Sequence, residues 1–173
     1  MESVDIASLI LRLTVGLTIF AHGWNHAFGG GRIAGTGRWF ESIGLRPGRL
    51  HALMATGTEL GAGAMLALGL FTPLAAAGVV GTMLVAMVTN HLRNGFFIFR
   101  PGEGYEYVLM LILVACAAGA LGGGAVSLDG VLGIEDTLDG WLGLAIAAGA
   151  GGVGGALLLA VFWRPERKAA EEA

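Results

Sequence analysis

One cysteine, four prolines and a charged fraction of only 13% mark what these 173 residues have little of. Each scarcity excludes something. Cys116, alone in an apolar run, makes neither an internal disulfide nor a thiolate metal site and reads as a small buried hydrophobe. Soluble domains carry about a quarter charged residues. A chain with half that, 55% hydrophobic residues and a mean hydropathy of +0.73 points instead to a membrane bundle. The net charge of -3 leaves no electrostatic footprint for a nucleic-acid partner. Basic residues are also missing from the first five positions, which hold Glu2 and Asp5. A secretory signal needs a basic start and a small-residue cleavage site, so the first apolar segment is expected to be a retained span.

What the chain does have is apolar length. A span takes about 20 residues, and five segments are expected to cross: 6–28, 50–71, 74–91, 105–121 and 141–163. A polar, glycine-rich stretch over 29–49 holds an amphipathic piece (37–45) whose Trp39, Phe40 and Ile43 share a helical face. Such a piece suits a segment lying in the interface, or equally a packed loop. Thr72-Pro73 makes a turn, 92–104 a short loop, and 122–140 an acidic linker. The fifth segment is bracketed by Trp141 and Trp163, as at an aromatic belt. Glycine, at 31 residues, forms small-xxx-small pairs at Gly57/Gly61, Gly119/Gly123 and Gly151/Gly155, spacings that let helix backbones approach closely.

Charge then predicts orientation. With five spans, Arg32, Arg38, Arg46, Arg49, Arg93, Arg100, Arg164, Arg167 and Lys168 all fall on one side. The other side carries Glu2, Asp5, Asp129, Glu135, Asp136 and Asp139. The positive-inside rule places the N-terminus outside and the C-terminus in the cytoplasm.

Ionisable groups inside membrane segments are costly and usually face a bundle interior or a functional path. His22 and His26 are i,i+4 neighbours near the cytoplasmic end of the first span. His91 closes the third span and Glu106 opens the fourth on that side, next to Tyr105. Glu59 lies ~14 Å from the cytoplasmic face and His22 ~9 Å, at 1.5 Å per residue. His22 is therefore the expected partner of Glu59. The set predicts a pocket open to the cytoplasm, with His22, Glu59, His91 and Glu106 in catalytic roles and His26 and Tyr105 as binding residues. Histidine titrates near neutral pH, and a quinone needs donors at two carbonyl oxygens and a proton source. His91 and His26 also admit plainer readings, as a helix cap and a headgroup-level residue. His51, at the start of the second span, reads as a surface residue. No metal site is expected, because two histidines at i,i+4 are weak grounds for an ion, and a haem between His22 and His91 conflicts with their depths. On the outer side, Arg12 is expected to pair with Asp129 or to snorkel to the headgroups.

The pieces LRLTVGLTIFAHGWNHAFGG (11–30), ELGAGAMLALGLFTPLAA (59–76), HLRNGFF (91–97), GYEYVLML (104–111) and GGGAVSLDG (122–130) resemble, in order, the DoxX family of small bacterial membrane proteins. The resemblance implies an all-α, four-helix membrane bundle over 1–130. An acidic linker (131–140), an additional fifth transmembrane helix (141–163) and a charged cytoplasmic tail (164–173) would follow it. It also implies kinship with the small DoxD subunit of thiosulfate:quinone oxidoreductase and with partners in membrane redox complexes, and it carries over to His22, Glu59, His91 and Glu106. The expected function is an integral subunit of a bacterial oxidoreductase system in the inner membrane, handling quinone or protons. Two alternatives stand beside it. One is a non-catalytic anchor recruiting redox partner proteins, with homo-oligomers forming through the glycine-rich helices. The other is a small-solute transporter, for which an internal inverted repeat would argue, and none is evident.

Overall fold

The computed structural model describes residues 2–165, all helix, turn and loop apart from one isolated β-bridge, so Arg167 and Lys168 of the expected tail lie outside the described residues. Helix α1 (Ser3–Phe28) opens on a capping box in which the Glu2 backbone N–H donates to Asp5 at 2.6 Å, which satisfies otherwise orphaned donors. A short α2 (Arg32–Ser42) leads to α3 (Gly48–Leu68), which ends where Gly69 takes the left-handed conformation (φ 67°) that glycine adopts without strain. Pro73 sits in the first turn of α4 (Thr72–Ala86), where its missing N–H costs nothing. This helix continues through a π-helical turn, Met87–His91, and a 3-10 turn, Leu92–Asn94. Then come α5 (Glu106–Leu121), α6 (Leu128–Leu132) and α7 (Gly140–Leu144), the last joined to α8 (Gly151–Phe162) by a second π-helical stretch, Ala145–Ala150.

The fold is an all-α membrane helix bundle of four core helices with α7–α8 as a fifth. Three of its helices are long and apolar enough to cross a membrane: Ser3–Phe28, Thr72–Asn94 and Gly140–Phe162. At 21 residues α3 has the length, but His51, Glu59 and its glycines and threonines dilute its hydropathy; α5 is apolar and shorter, at 16 residues. Large side chains such as Leu17, Trp24, Leu53, Leu113 and Leu157 point outward, the pattern of a bundle solvated by lipid rather than water. The core runs through Val15 and Ile19 of α1, Leu66 of α3, Val79 and Met83 of α4, Leu111 and Ala115 of α5, and Ala147.

Glycine sets the helix spacing, though not at all the positions the sequence pairs single out. A methyl group on Gly16 would lie 2.6 Å from the Ala67 backbone nitrogen, and one on Gly63 2.6 Å from that of Phe20. The backbones of α1 and α3 therefore touch. Gly151 and Gly155 likewise pack on Ala77 and Gly81 of α4, and Gly119 on Ala147, whereas Gly57 and Gly61 face open space. The fifth helix is thus seated on α4 and α5 through small residues, with Gly149, Gly152 and Gly154 left open.

The loops sort by charge. Leu45 forms an isolated bridge with Trp163, the Trp163 indole donates to Ile43 O at 3.0 Å, and Arg164 N donates to Gly44 O at 2.7 Å. The arginine-rich first loop and the end of α8 therefore share one end of the bundle. At the other end Ala125 N donates to Asp5 at 2.9 Å, and Asp139 lies against Gly122. The segment after α5 is not a plain linker, since α6 folds in and buries Asp129.

Arg12 and Asp129 both belong to this acidic end and are both buried. They do not form the direct ion pair expected of them. Arg12 donates from Nε to Ser8 Oγ (3.3 Å), from Nη1 to Ala67 O (3.2 Å) and from Nη2 to Val126 O (2.6 Å). Asp129 accepts from the Phe71 and Thr72 backbone N–H groups (2.7 and 3.0 Å) and from the Thr72 hydroxyl (2.8 Å). The carboxylate caps the start of α4, a favourable place for negative charge. The guanidinium ties α1 to α3 and to the segment before α6. Snorkelling is excluded by the full burial of Arg12.

Candidate functional site

Toward the basic end, a cavity of about 610 Å³ opens between the helices. Its floor is α4, from Ala77 to the π-helical turn at Thr89 and Asn90. α3 and α8 both pack on α4 and contribute walls, while α1, α2 and α5 close the remainder. Most of the lining is apolar or glycine. All four histidines of the chain reach it: His22, His26, His51 and His91. Glu59 joins them.

The charged centre is Glu59 with His26. Glu59 is buried, and its Oε2 lies 3.0 Å from His26 Nδ1. The two atoms are at ion-pair distance but are not aligned as a hydrogen bond. It is the only ion-pair contact of this kind among the described residues. The expected His22–Glu59 partnership is therefore corrected to His26–Glu59. Side chains on a helix lean toward its N-terminus. The N-terminus of α3 is at the basic end and that of α1 at the acidic end, so Glu59 leans toward His26 while His26 leans inward to meet it. Gly23 makes the meeting close, because a methyl group there would lie 2.9 Å from Glu59 Cβ. His22, one turn deeper on α1, turns to Tyr107 instead, with ring centroids 6.5 Å apart.

His91 ends the π-helical turn of α4, its Nδ1 lying 3.0 Å from Glu103 O and its Nε2 3.3 Å from Asn90 Nδ2. π-helical turns inside α-helices often occur at functional sites, where they re-aim side chains. Asn94 fastens the same loop, donating to the carbonyls of Asn90 and Glu103 at 2.9 and 3.0 Å.

Two expected members are elsewhere. Glu106 turns away from the cavity and accepts the Ile98 N–H at 3.1 Å, fixing the 95–105 loop. Tyr105 packs edge-on against Phe96. Tyr107 and Glu103 line the cavity in their place. Tyr105 is the residue just before α5 and Tyr107 its second, so the helix start decides which tyrosine faces inward.

His51 is the residue the sequence reading missed. It is 2% exposed, lines the cavity, packs edge-on against Phe162 (4.9 Å between centroids), and neither ring nitrogen has a hydrogen-bond partner. A signal was present: His51, Ala55 and Glu59 recur at i, i+4 and i+8, one stripe of a helix. Among the described residues, no three His, Cys, Asp or Glu side chains gather as a metal site.

A DoxX family model matches residues 7–92, from α1 to the π-helical end of α4. The chain belongs to the DoxX family. "Putative oxidoreductase CatD" of Bacillus subtilis (strain 168) is similar, 28% identical over 116 residues that cover 67% of this chain and 81% of the relative. No solved structure matches the chain at a significant level. The matched region carries His22, His26, His51, Glu59 and His91, so this DoxX protein has its histidine and glutamate set within the shared portion. The α8 wall of the cavity lies beyond it.

Proposed function

We propose that this DoxX protein is the membrane-embedded component of an oxidoreductase system and that its cavity binds a quinone, with the His26–Glu59 pair exchanging the proton. One observation carries the reading: a buried carboxyl group in contact with a histidine, on the wall of a largely apolar cavity. An apolar cavity with a few convergent polar groups is the usual form of a small-molecule site. The apolar lining accepts a ring. An imidazole can donate or accept at its ring nitrogens, so a histidine beside a carboxylate can pass a proton to an oxygen bound next to the pair. The name of the Bacillus relative, an oxidoreductase, agrees with this chemistry. With one cysteine in the chain, the electrons would come from a partner redox protein. The chain is proposed to lie in the bacterial inner membrane with its N-terminus outside and its C-terminus cytoplasmic, which would put the cavity mouth on the cytoplasmic side.

The test is equilibrium binding of duroquinone (tetramethyl-1,4-benzoquinone) to the purified full-length protein in lipid nanodiscs. Wild type should bind saturably and Glu59→Gln at least about tenfold more weakly, because the carboxylate itself cannot donate to a quinone oxygen and acts by holding His26 as the donor beside it. Saturable binding of equal strength in both proteins would refute the role of the pair. No binding to wild type would refute the quinone reading and favour an anchor.

A further inference from the structure

A buried histidine with two unpaired ring nitrogens is an unfinished site. Burying a polar group without a hydrogen bond is unfavourable, and buried polar groups in folded proteins are nearly always partnered. His51 is held there regardless. Its ring is packed against Phe162 of α8, in the corner where the bridge between Leu45 and Trp163 clasps the α2–α3 loop to the fifth helix. The residue lies on the cavity wall, with both ring nitrogens covered by packing and unpaired.

The spacing along α3 adds a measure. His51 and Glu59 are eight residues apart, ~12 Å along the helix axis. Both lean toward the same helix end, which preserves their separation. With a donor ~3 Å from the ligand at each end, His51 at one and His26 beside Glu59 at the other, about 6 Å is left between them, the span of one six-membered ring carrying an oxygen at each end. The lining also holds Met54, Ala55 and Thr58 from α3, Ala150 from the second π-helical stretch, and Gly154 and Leu158 from α8.

Gly154 adds a way in. It lines the cavity, is exposed to the surroundings, and a methyl group placed on it would meet no protein atom within 4 Å. It is therefore not a helix contact, and it leaves that side of the cavity uncovered by side chains. Its neighbours Gly151 and Gly155, by contrast, are packed against α4.

We propose that His51 is a second hydrogen-bonding pole of the cavity, so that an uncharged ring compound with oxygen functions at opposite ends binds between His51 and the His26–Glu59 pair, entering from the bilayer past Gly154. The proposal deepens the quinone reading above and rests on it. His51 acts as the specificity residue: a ring with a single oxygen satisfies one pole and leaves the other unpaired, and that is how sites built on hydrogen bonds discriminate strongly. Gly154 keeps the side entrance open.

The experiment compares two probes, duroquinone and 2,3,5,6-tetramethylphenol, on full-length protein in nanodiscs. His51→Leu should weaken duroquinone binding about tenfold or more while leaving the phenol unchanged, so that discrimination between the two collapses. His51→Gln, which keeps a donor, should restore part of it. Gly154→Leu should lower binding of both probes, and Gly152→Leu, a nearby position that does not line the cavity, should lower neither. Folding is monitored by thermal unfolding of the unliganded protein. His51→Leu removes unpaired polar atoms and should leave the melting temperature equal or higher. A lower melting temperature would instead identify His51 as a structural residue and overturn the proposal. Duroquinone binding that is weakened by Glu59→Gln but untouched by His51→Leu would overturn the second pole and leave the proposed function standing. Absence of duroquinone binding in wild type would overturn both.

Discussion

A carboxyl group inside a membrane bundle needs a partner, and Glu59 has His26 at 3.0 Å. Removing one member of a buried pair leaves the other uncompensated, whereas replacing both with apolar groups is often harmless. His26→Leu should therefore destabilise the protein by about 3 kcal/mol, and the His26→Leu/Glu59→Leu double variant by much less. Denaturant unfolding of the four proteins in a mutant cycle measures the difference; additive losses would contradict the pairing. Arg12 is the other single-residue test. It holds three hydrogen bonds that join α1 to α3 and to the segment before α6. Arg12→Leu removes all three hydrogen bonds of a buried charged group, two of them to part-buried carbonyls, and should cost about 3 kcal/mol in the same assay. No change in unfolding would mean that the network contributes nothing. At this scale the sequence tells which residues are out of place in lipid, but not whom they meet. Depth along the chain made His22 the apparent partner of Glu59. The actual partner follows from the opposed leans of two antiparallel side chains and from the close approach at Gly23, neither of which depth contains.

Elements are placed by glycine more than by large apolar residues. α1 and α3 touch at Gly16 and Gly63, where a side chain would meet backbone. Backbone cannot move aside as a rotamer can, so Gly63→Leu should force the helices apart, lower the melting temperature sharply and abolish ligand binding in the cavity. Gly57→Ala is the counterpart, since that position faces open space. It should raise stability by about 0.5–1 kcal/mol through helix propensity alone. A tolerated Gly63→Leu would contradict the packing described. The helices themselves were readable from apolar length, capping residues and the Gly69 and Pro73 boundaries. The choice among glycines was not, because small-xxx-small spacing is shared by packed and lipid-facing surfaces alike. The two π-helical turns were equally hidden: an inserted register leaves the apolar pattern of α4 and of the α7–α8 helix intact. Yet one of them carries Asn90 and His91 into the cavity lining.

For the molecule as a whole, the charges of the loops agree with the contacts between them. The first loop and the end of α8 meet at the arginine-rich end; Asp5, Asp129 and Asp139 share the other. A reporter active only in the cytoplasm, fused after the last residue, should be active, and an inactive fusion beside an active periplasmic one would reverse the proposed orientation. Membership of the DoxX family and the helical bundle were legible from ordered motifs and hydropathy. The cavity was legible only as a list of residues, and the list erred where azimuth mattered: Glu106 and Tyr105 lie aside, while His51 and Tyr107 lie within. The central claim is that the histidine and glutamate residues brought together by α1, α3 and the π-helical end of α4 form one quinone site. Photoaffinity labelling of native membranes with an azidoquinone, followed by peptide mapping, tests it most directly. Saturable labelling of cavity-lining residues, those of 51–59 and 150–158 among them, removed by excess duroquinone and reduced in Glu59→Gln, is the expected result. Labelling spread over the outward face around Trp24 and Phe28, insensitive to duroquinone and to Glu59→Gln, would contradict it.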